Sequence, residues 1–308
     1  MKKFYIISIN LIVIILSYFV LKYIFIFLSL SKVFPLNTAF EFTNWLMKNV
    51  QYEELYRNTQ YRPIENIESK ERPIIILGCS FAQGVSSKPL DDNETISSLL
   101  AKEFKIKRPI HNRAIGSQSL QAMIWQFASG EIQKIVKKEP ELIVYVLIND
   151  SIRRLYMECN HWNSSLFYKE NKKNGIEEIK NPIYYSFLAK TIRTYVFEKY
   201  IFHKNITDEQ KFSFLRKHFL YLKNEIRKQW KDTKILILYY HDEKTNEYIK
   251  TLEKDGFDVI YLSEITPKGF IQNPKNRVSE FDAHPTKEAW KVIVPSLYKE
   301  ISNRYNIK

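Results

Sequence analysis

The chain has 308 residues, 45% hydrophobic and 26% charged, with only 7 Gly and 11 Pro, enough for one large domain or two small ones with a buried core. That composition excludes a disulfide-built miniprotein, a collagen-like fibre and a disordered tail. The 47 Lys and Arg outnumber the 34 Asp and Glu for a net charge of +13, which suits anionic lipid, acidic polysaccharide or nucleic acid without choosing among them.

The N-terminus carries the first strong signal. After Lys2 and Lys3, residues 4–21 read FYIISINLIVIILSYFVL, 18 residues without a charge, and the apolar character resumes past Lys22 as far as Leu30. A helix needs about 20 apolar residues to cross the hydrocarbon core, and Lys22 can snorkel to the interface beside Tyr18 and Tyr23. A cleavable signal peptide has a shorter apolar region, and the exit here, Ser29-Leu30-Ser31-Lys32-Val33-Phe34, offers no good cleavage site, so residues 1–34 are expected to be a retained transmembrane signal anchor. Lys2 and Lys3 favour a cytoplasmic N-terminus, against the pull of Lys22 and Lys32. The expected location is therefore the cytoplasmic membrane, single-pass, with the main domain extracytoplasmic and the lipid bilayer as a partner. Four Lys and no acid lie in the first 35 residues, so the exported part is basic in its own right and suits an anionic membrane surface. No zinc-finger spacing, RNP-like motif or basic-region helix is present, and nucleic acid is not an expected partner.

Residues 35–72, punctuated by Pro35 and Pro63, form a stalk and lead-in segment. From Pro73 the pattern changes to short β-branched runs alternating with longer helical ones. Strands are predicted at 74–77, 109–115, 142–148, 234–240 and 258–264. Helices are predicted near 94–106, 117–138, 183–203, 208–230, 244–255 and 287–303. Continuously apolar strands separated by helices predict a parallel sheet covered on both faces, a three-layer αβα sandwich over residues 73–308. Between Ile148 and Lys234 lie about 85 residues, too many for a simple crossover. An insertion at about 151–230 is expected there, a polar loop (160–181) followed by an aromatic-rich helical pair (182–230). It leaves the third strand at its carboxyl end, where open α/β sheets bind ligands, and so is placed to form a lid.

The chemistry gathers at that same edge. The first strand runs into Gly78-Cys79-Ser80-Phe81-Ala82-Gln83-Gly84, the second ends at Gly116-Ser117, and the third at Leu147-Ile148-Asn149-Asp150. Near the C-terminus, Phe281-Asp282-Ala283-His284-Pro285-Thr286 precedes the last helix. A serine, a glycine amide, an asparagine and a His/Asp pair are the parts of an acyl-transfer site: nucleophile, oxyanion donors, and a base with its orienter.

These four segments, in this order, resemble the consensus blocks of the SGNH/GDSL hydrolase family across roughly residues 73–303. The resemblance implies a flavodoxin-like αβα sandwich with a five-stranded parallel sheet. It makes Ser80 the nucleophile and His284 the base. It assigns the oxyanion hole to the Ser80 N–H, the Gly116 N–H and the Asn149 side-chain amide. Three positions depart from the family pattern. Cys79 stands for an Asp, Leu147 for a Gly at the approach to the oxyanion hole, and Phe281 holds the usual place of the acid three residues before the His. Asp282 lies two before, so either it orients His284 or the site runs as a Ser–His dyad.

Asp150 is expected to be structural, as are His111, His161, His203, His218 and His241, which lack ligand spacing. Cys79 is read as a small buried thiol, with a bridge to Cys159 as the alternative. The aromatic run from Tyr184 to Phe202 is read as packing within the lid, with a surface that stacks on sugar rings or holds an acyl chain as the alternative. The expected function is a serine esterase cleaving O-acyl, chiefly O-acetyl, esters of a cell-envelope glycan or lipid-linked saccharide, with no metal, nucleotide or flavin implied. The alternatives are an O-acyltransferase using the same residues and a non-catalytic glycan-binding or assembly protein that keeps the fold.

Overall fold

The computed structural model describes residues 17–18, 62, 64–105, 107–116, 118–155, 166–171, 175–183, 207–241, 246–280 and 282–307. The strands are β1 (Ile74–Leu77), β2 (Ile110–Asn112), β3 (Leu142–Leu147), β4 (Leu166–Asn171), β5 (Gly175–Ile183), β6 (Lys234–Tyr239) and β7 (Asp258–Tyr261). The helices are α1 (Ser80–Gln83), α2 (Ile96–Glu103), α3 (Leu120–Ala128), α4 (Glu131–Ile135), α5 (Asn149–Leu155), α6 (Asp208–Gln229), α7 (Asn246–Lys254), α8 (Leu262–Ile265) and α9 (Lys287–Tyr305). The parallel strands pair in the order β2-β1-β3-β6-β7. The order reverses at β1, so the loops after β1 and β3 leave the sheet side by side at its carboxyl edge.

Alternate side chains of these strands feed two cores, one on each face, as the two-residue period of a strand requires. Ile75, Leu77, Ile143, Tyr145, Ile237 and Tyr239 join residues of α3, α6 and α7. Ile74, Ile76, Val144, Val146, Leu236 and Leu238 join those of α2 and α9. The three layers follow directly, because β1, β3, β6 and β7 give apolar side chains to the cores on both faces. Leu147, where the family pattern has Gly, is fully buried in the first of these cores.

Several elements depart from expectation. The helix predicted over 117–138 is split, because Gly130 adopts a left-handed φ of 79° between α3 and α4. The strand predicted to reach Ile115 ends at Asn112, whose side-chain oxygen accepts from the Ala114 N–H and turns the chain out of the sheet. The strand predicted over 258–264 stops at Tyr261 and passes into α8. The expected polar loop over 160–181 contains an antiparallel hairpin, β4 with β5, which carries Pro182 and Ile183 out of the predicted helical pair. The sequences LFYKEN and GIEEIKNPI lack the apolar–polar alternation that marks a strand, while Gly175, at φ 100°, starts β5 where the hairpin turns back. The second helix of the pair is α6, started by a capping box between Thr207 and Gln210. The first, near 183–203, lies outside the described residues, as does the aromatic run. Of the lead-in segment, Glu65 exchanges both backbone hydrogen bonds with Ile110, extending the sheet edge beyond β2.

No helix among the described residues is long and apolar enough to cross a membrane. The N-terminal segment 1–34 lies outside the described residues apart from Ser17 and Tyr18.

His218, fully buried on α6, shares its Nδ1 with the Phe214 carbonyl at 2.8 Å. Burial lowers its pKa from 6.5 to about 4. Between these two values the unfolded chain binds a proton that the folded chain refuses, so stability falls as pH falls through that window. His218→Gln keeps a donor for the Phe214 carbonyl but cannot titrate. Urea unfolding between pH 7 and pH 4.5 is expected to show a loss smaller by roughly 2–3 kcal/mol in this variant.

Candidate active site

The turn after β1 presents Ser80. Gly78 has a φ of +144°, and a Cβ built there would lie 3.0 Å from the Val146 carbonyl oxygen and 3.2 Å from the Ala82 Cβ. Both the backbone conformation and the close approach to β3 therefore require glycine. Cys79 then buries a free thiol in the core between the sheet and α2 and α9, and Cys159 lies outside the described residues. Ser80 opens the single turn α1, which Gly84 closes in a left-handed conformation by donating to the Ser80 carbonyl at 2.8 Å. As the first residue of a helical turn, Ser80 has a backbone N–H with no acceptor inside the turn. Gly78→Ala is expected to cost about 2–4 kcal/mol, combining strain with overpacking. Denaturant unfolding measures it, and a cost below about 0.5 kcal/mol would show the turn to be tolerant.

The base arrives from the other end of the chain. A tight turn is closed by the Val278 N–H donating to the His284 carbonyl at 3.0 Å and by the Ser279 N–H donating to the Asp282 carbonyl at 3.1 Å. Thr286 then caps α9 by accepting from the Ala289 N–H. His284 Nε2 lies 2.6 Å from Ser80 Oγ, and His284 Nδ1 lies 2.5 Å from Asp282 Oδ1. A carboxylate only accepts, so Nδ1 carries the proton and Nε2 is left as the acceptor for the Ser80 hydroxyl. Asp282 Oδ1 also accepts the backbone N–H of His284 at 3.1 Å. That contact is an Asx turn, which lets an acid only two residues away reach its histidine.

Ser87 holds the second oxygen, its N–H donating at 3.0 Å and its hydroxyl at 2.5 Å to Asp282 Oδ2. Burial alone would raise the Asp282 pKa. The hydrogen bonds from Ser87 and His284 outweigh it and hold the carboxyl well below the usual carboxylate range. Phe81 packs on the imidazole with ring centres 4.6 Å apart, and is itself backed by Tyr240 and then Trp290. The imidazole is thus held by both its nitrogens and one face.

The two remaining site residues stand at the same edge. The Arg113 N–H donates to the Ile76 carbonyl and the Ile115 N–H to the Gly78 carbonyl. That ladder lays Gly116 beside the nucleophile turn, so that a Cβ on Gly116 would sit 3.9 Å from the Ser80 Cβ. The Gly116 N–H, however, donates to Gln83 Oε1 at 2.6 Å. Asn149 follows β3, and its Oδ1 accepts from the Tyr239 hydroxyl at 3.1 Å. This fixes the amide so that its Nδ2 faces away from Tyr239. The neighbouring Asp150 pairs with Arg154 at 3.8 Å along α5.

Ser87, Gln83, Phe81 and Tyr239 are contacts that the sequence does not announce. Ser87 sits in a polar loop with no motif of its own. Phe81 and Gln83 lie inside the nucleophile block, but the block says nothing of what they touch. Among the remaining histidines, His111 and His218 are buried, His241 is half-buried, and His161 and His203 lie outside the described residues.

No family model matches the chain, and no curated protein matches it. Solved structures resemble it at 10–12% sequence identity. A family two carbohydrate esterase from Clostridium thermocellum in complex with cellohexaose superposes with a TM-score of 0.47 over 78% of this chain and 66% of that one, at 11% identity. A lipase/acylhydrolase from Enterococcus faecalis gives 0.45 over 77% of this chain and 99% of that one, at 10% identity. An acetyl xylan esterase from Butyrivibrio proteoclasticus gives 0.45 over 77% and 65%, at 11% identity. The chain therefore spans about two thirds of the length of the two carbohydrate-active proteins. At such identities and TM-scores the chemistry must be read from this site's own geometry.

Proposed function

We propose that the protein is a serine ester hydrolase of the SGNH/GDSL type, membrane-anchored with its site outside the cytoplasm. The proposed substrate is an O-acyl ester, chiefly O-acetyl, on a cell-envelope glycan or lipid-linked saccharide. The observation that carries the reaction class is the continuous hydrogen-bonded series from Ser80 Oγ through both nitrogens of His284 to Asp282 Oδ1. The anchor rests on the uncharged run at 4–21, and the envelope substrate on that anchor.

In the proposed reaction Ser80 Oγ attacks the acyl carbonyl carbon as its proton passes to His284 Nε2. Asp282 stabilises the imidazolium without taking its proton. The tetrahedral oxyanion is met by the Ser80 N–H and Asn149 Nδ2. Collapse expels the sugar oxygen, which takes the proton from Nε2 and leaves as the alcohol. Water then attacks the acyl-serine, giving its proton to His284, and the carboxylic acid departs as Ser80 regains a proton. A sugar hydroxyl in place of water would make the same residues an acyltransferase.

The test is to treat the full-length protein with a fluorophosphonate and map the adduct, with Ser80→Ala beside it. A single adduct on Ser80 is expected. Acetate release from an O-acetylated glycan, with and without a sugar acceptor, then separates hydrolysis from transfer. A folded protein that takes no label would overturn the reading in favour of a non-catalytic glycan-binding role.

A further inference from the structure

Arg62 stands outside the stretch that carries the catalytic motifs, in the segment leading in from the N-terminus, yet its side chain is only 16% exposed. Every nitrogen of its guanidinium is engaged. Nε donates to the Gln83 carbonyl at 2.8 Å, and Nη2 to the Gly84 carbonyl at 3.1 Å and the Leu90 carbonyl at 3.0 Å. Nη1 pairs with Asp92 Oδ1 at 2.7 Å. The three carbonyls belong to the end of α1 and to the two ends of the loop 84–90, which is also closed by the Leu90 N–H donating to the Gly84 carbonyl at 2.9 Å.

These contacts meet the site at two places. Gln83 and Gly84 end the single turn that begins with Ser80, and a turn of four residues has little stiffness of its own. Gln83 in addition ties Gly116 to that turn through its carboxamide. The loop 84–90 carries Ser87, which holds the outer oxygen of Asp282. One guanidinium thus braces the nucleophile from behind and, through Ser87, the acid that orients the base.

We propose that Arg62 is a positioning residue for the reaction at Ser80, clasping the base of the nucleophile turn and of the Ser87 loop so that Ser80, His284 and Asp282 stay in register. The inference rests on the serine-hydrolase reading for its catalytic half, while the clasp itself stands on the contacts alone. The planar fork matters more than the charge, because the acceptors surround it in directions that a lysine ammonium cannot serve together. The Asp92 partner is 58% exposed, and its ion pair with Arg62 is secondary to the three carbonyls.

The experiment compares the full-length wild type with Arg62→Ala and Arg62→Lys, reading fluorophosphonate labelling rates and amide hydrogen exchange. Both variants are expected to label about 10- to 100-fold more slowly, since small displacements of reacting groups carry penalties of that order. Added guanidinium is expected to restore part of the rate to Arg62→Ala and none to Arg62→Lys, a response that general loss of stability would not give. The Gly84, Val85 and Leu90 amides are expected to exchange faster in both variants, with the β3 amides unchanged. Labelling within about two-fold of wild type in a variant with native β3 protection would overturn the positioning role. Should Arg62→Ala expose the β3 amides as well, Arg62→Lys carries the test. A wild type that takes no label overturns the serine reading and the catalytic half of the inference with it. Unchanged exchange at Gly84, Val85 and Leu90 overturns the clasp itself.

Discussion

Ser80→Ala is expected to lower ester turnover by about 10⁵- to 10⁶-fold and to abolish fluorophosphonate labelling, with the fold intact. The size of the loss follows from the way the parts depend on one another. His284 Nε2 has the Ser80 hydroxyl as its hydrogen-bond partner, so without that oxygen the base has no proton to take and Asp282 has no developing charge to stabilise. In a well-characterised serine protease, removing the nucleophile costs about as much as removing the whole triad. The residual rate would come from the oxyanion donors acting on attack by water. Ser80 is half-buried and loses one hydrogen bond in the variant, so a stability change of about 1 kcal/mol or less is expected. Initial rates on an activated acetyl ester, measured beside thermal unfolding, separate the two effects. A variant that keeps more than about a hundredth of the rate would place the nucleophile elsewhere.

Asp282→Asn is expected to cost about 10⁴-fold in kcat while leaving KM nearly unchanged. The reason lies in Ser87. Its N–H and hydroxyl give the outer oxygen of Asp282 two donors against the single backbone N–H of His284 on the inner one, so an asparagine there turns its carbonyl toward Ser87 and its NH₂ toward His284 Nδ1. The NH₂ is a donor, and it forces Nδ1 to accept and Nε2 to carry the hydrogen. That tautomer cannot receive the proton of Ser80. Because the native carboxyl is held well below the usual range, it stays ionised across the working pH range. Its titration therefore sets no limb of the wild-type rate profile near neutrality. The measurement is kcat and KM across pH for the two proteins. A loss of less than about ten-fold would show that the site works as a Ser–His dyad, with Asp282 only bracing a turn.

Much of this architecture can be read in the residues because it depends on local chemistry. The runs IIIL and LIVYVL are apolar at every position, and KILILY at every position after the exposed Lys234, and a strand of that kind has to be covered on both sides. Ser80 and His284 stand where an apolar strand ends or a helix begins, flanked by residues that favour turns, and such positions can be placed without knowing what they face. The hairpin of β4 and β5 was hidden because its polar residues show no alternation. The break at Gly130 is a backbone event that one residue type permits but does not announce.

The site divides along the same line. Sequence by itself determined the identity of the groups, the strands they follow and a parallel sheet covered on both faces, since these follow from composition, period and turn chemistry over a few residues. Only the tertiary structure decided which partner each group meets. Residues 87 and 282 and residues 81 and 284 meet where the loop after β1 lies against the turn before α9, 83 and 116 where β2 pairs beside β1, and 62 and 90 where the lead-in segment reaches the loop after β1. Whether Asp282 reaches His284, and whether the Gly116 amide is open or bound to Gln83, depends on hydrogen-bond distances of 2.5 and 2.6 Å. Such distances are set by packing across the whole domain, for which a linear pattern of residues contains no local signal.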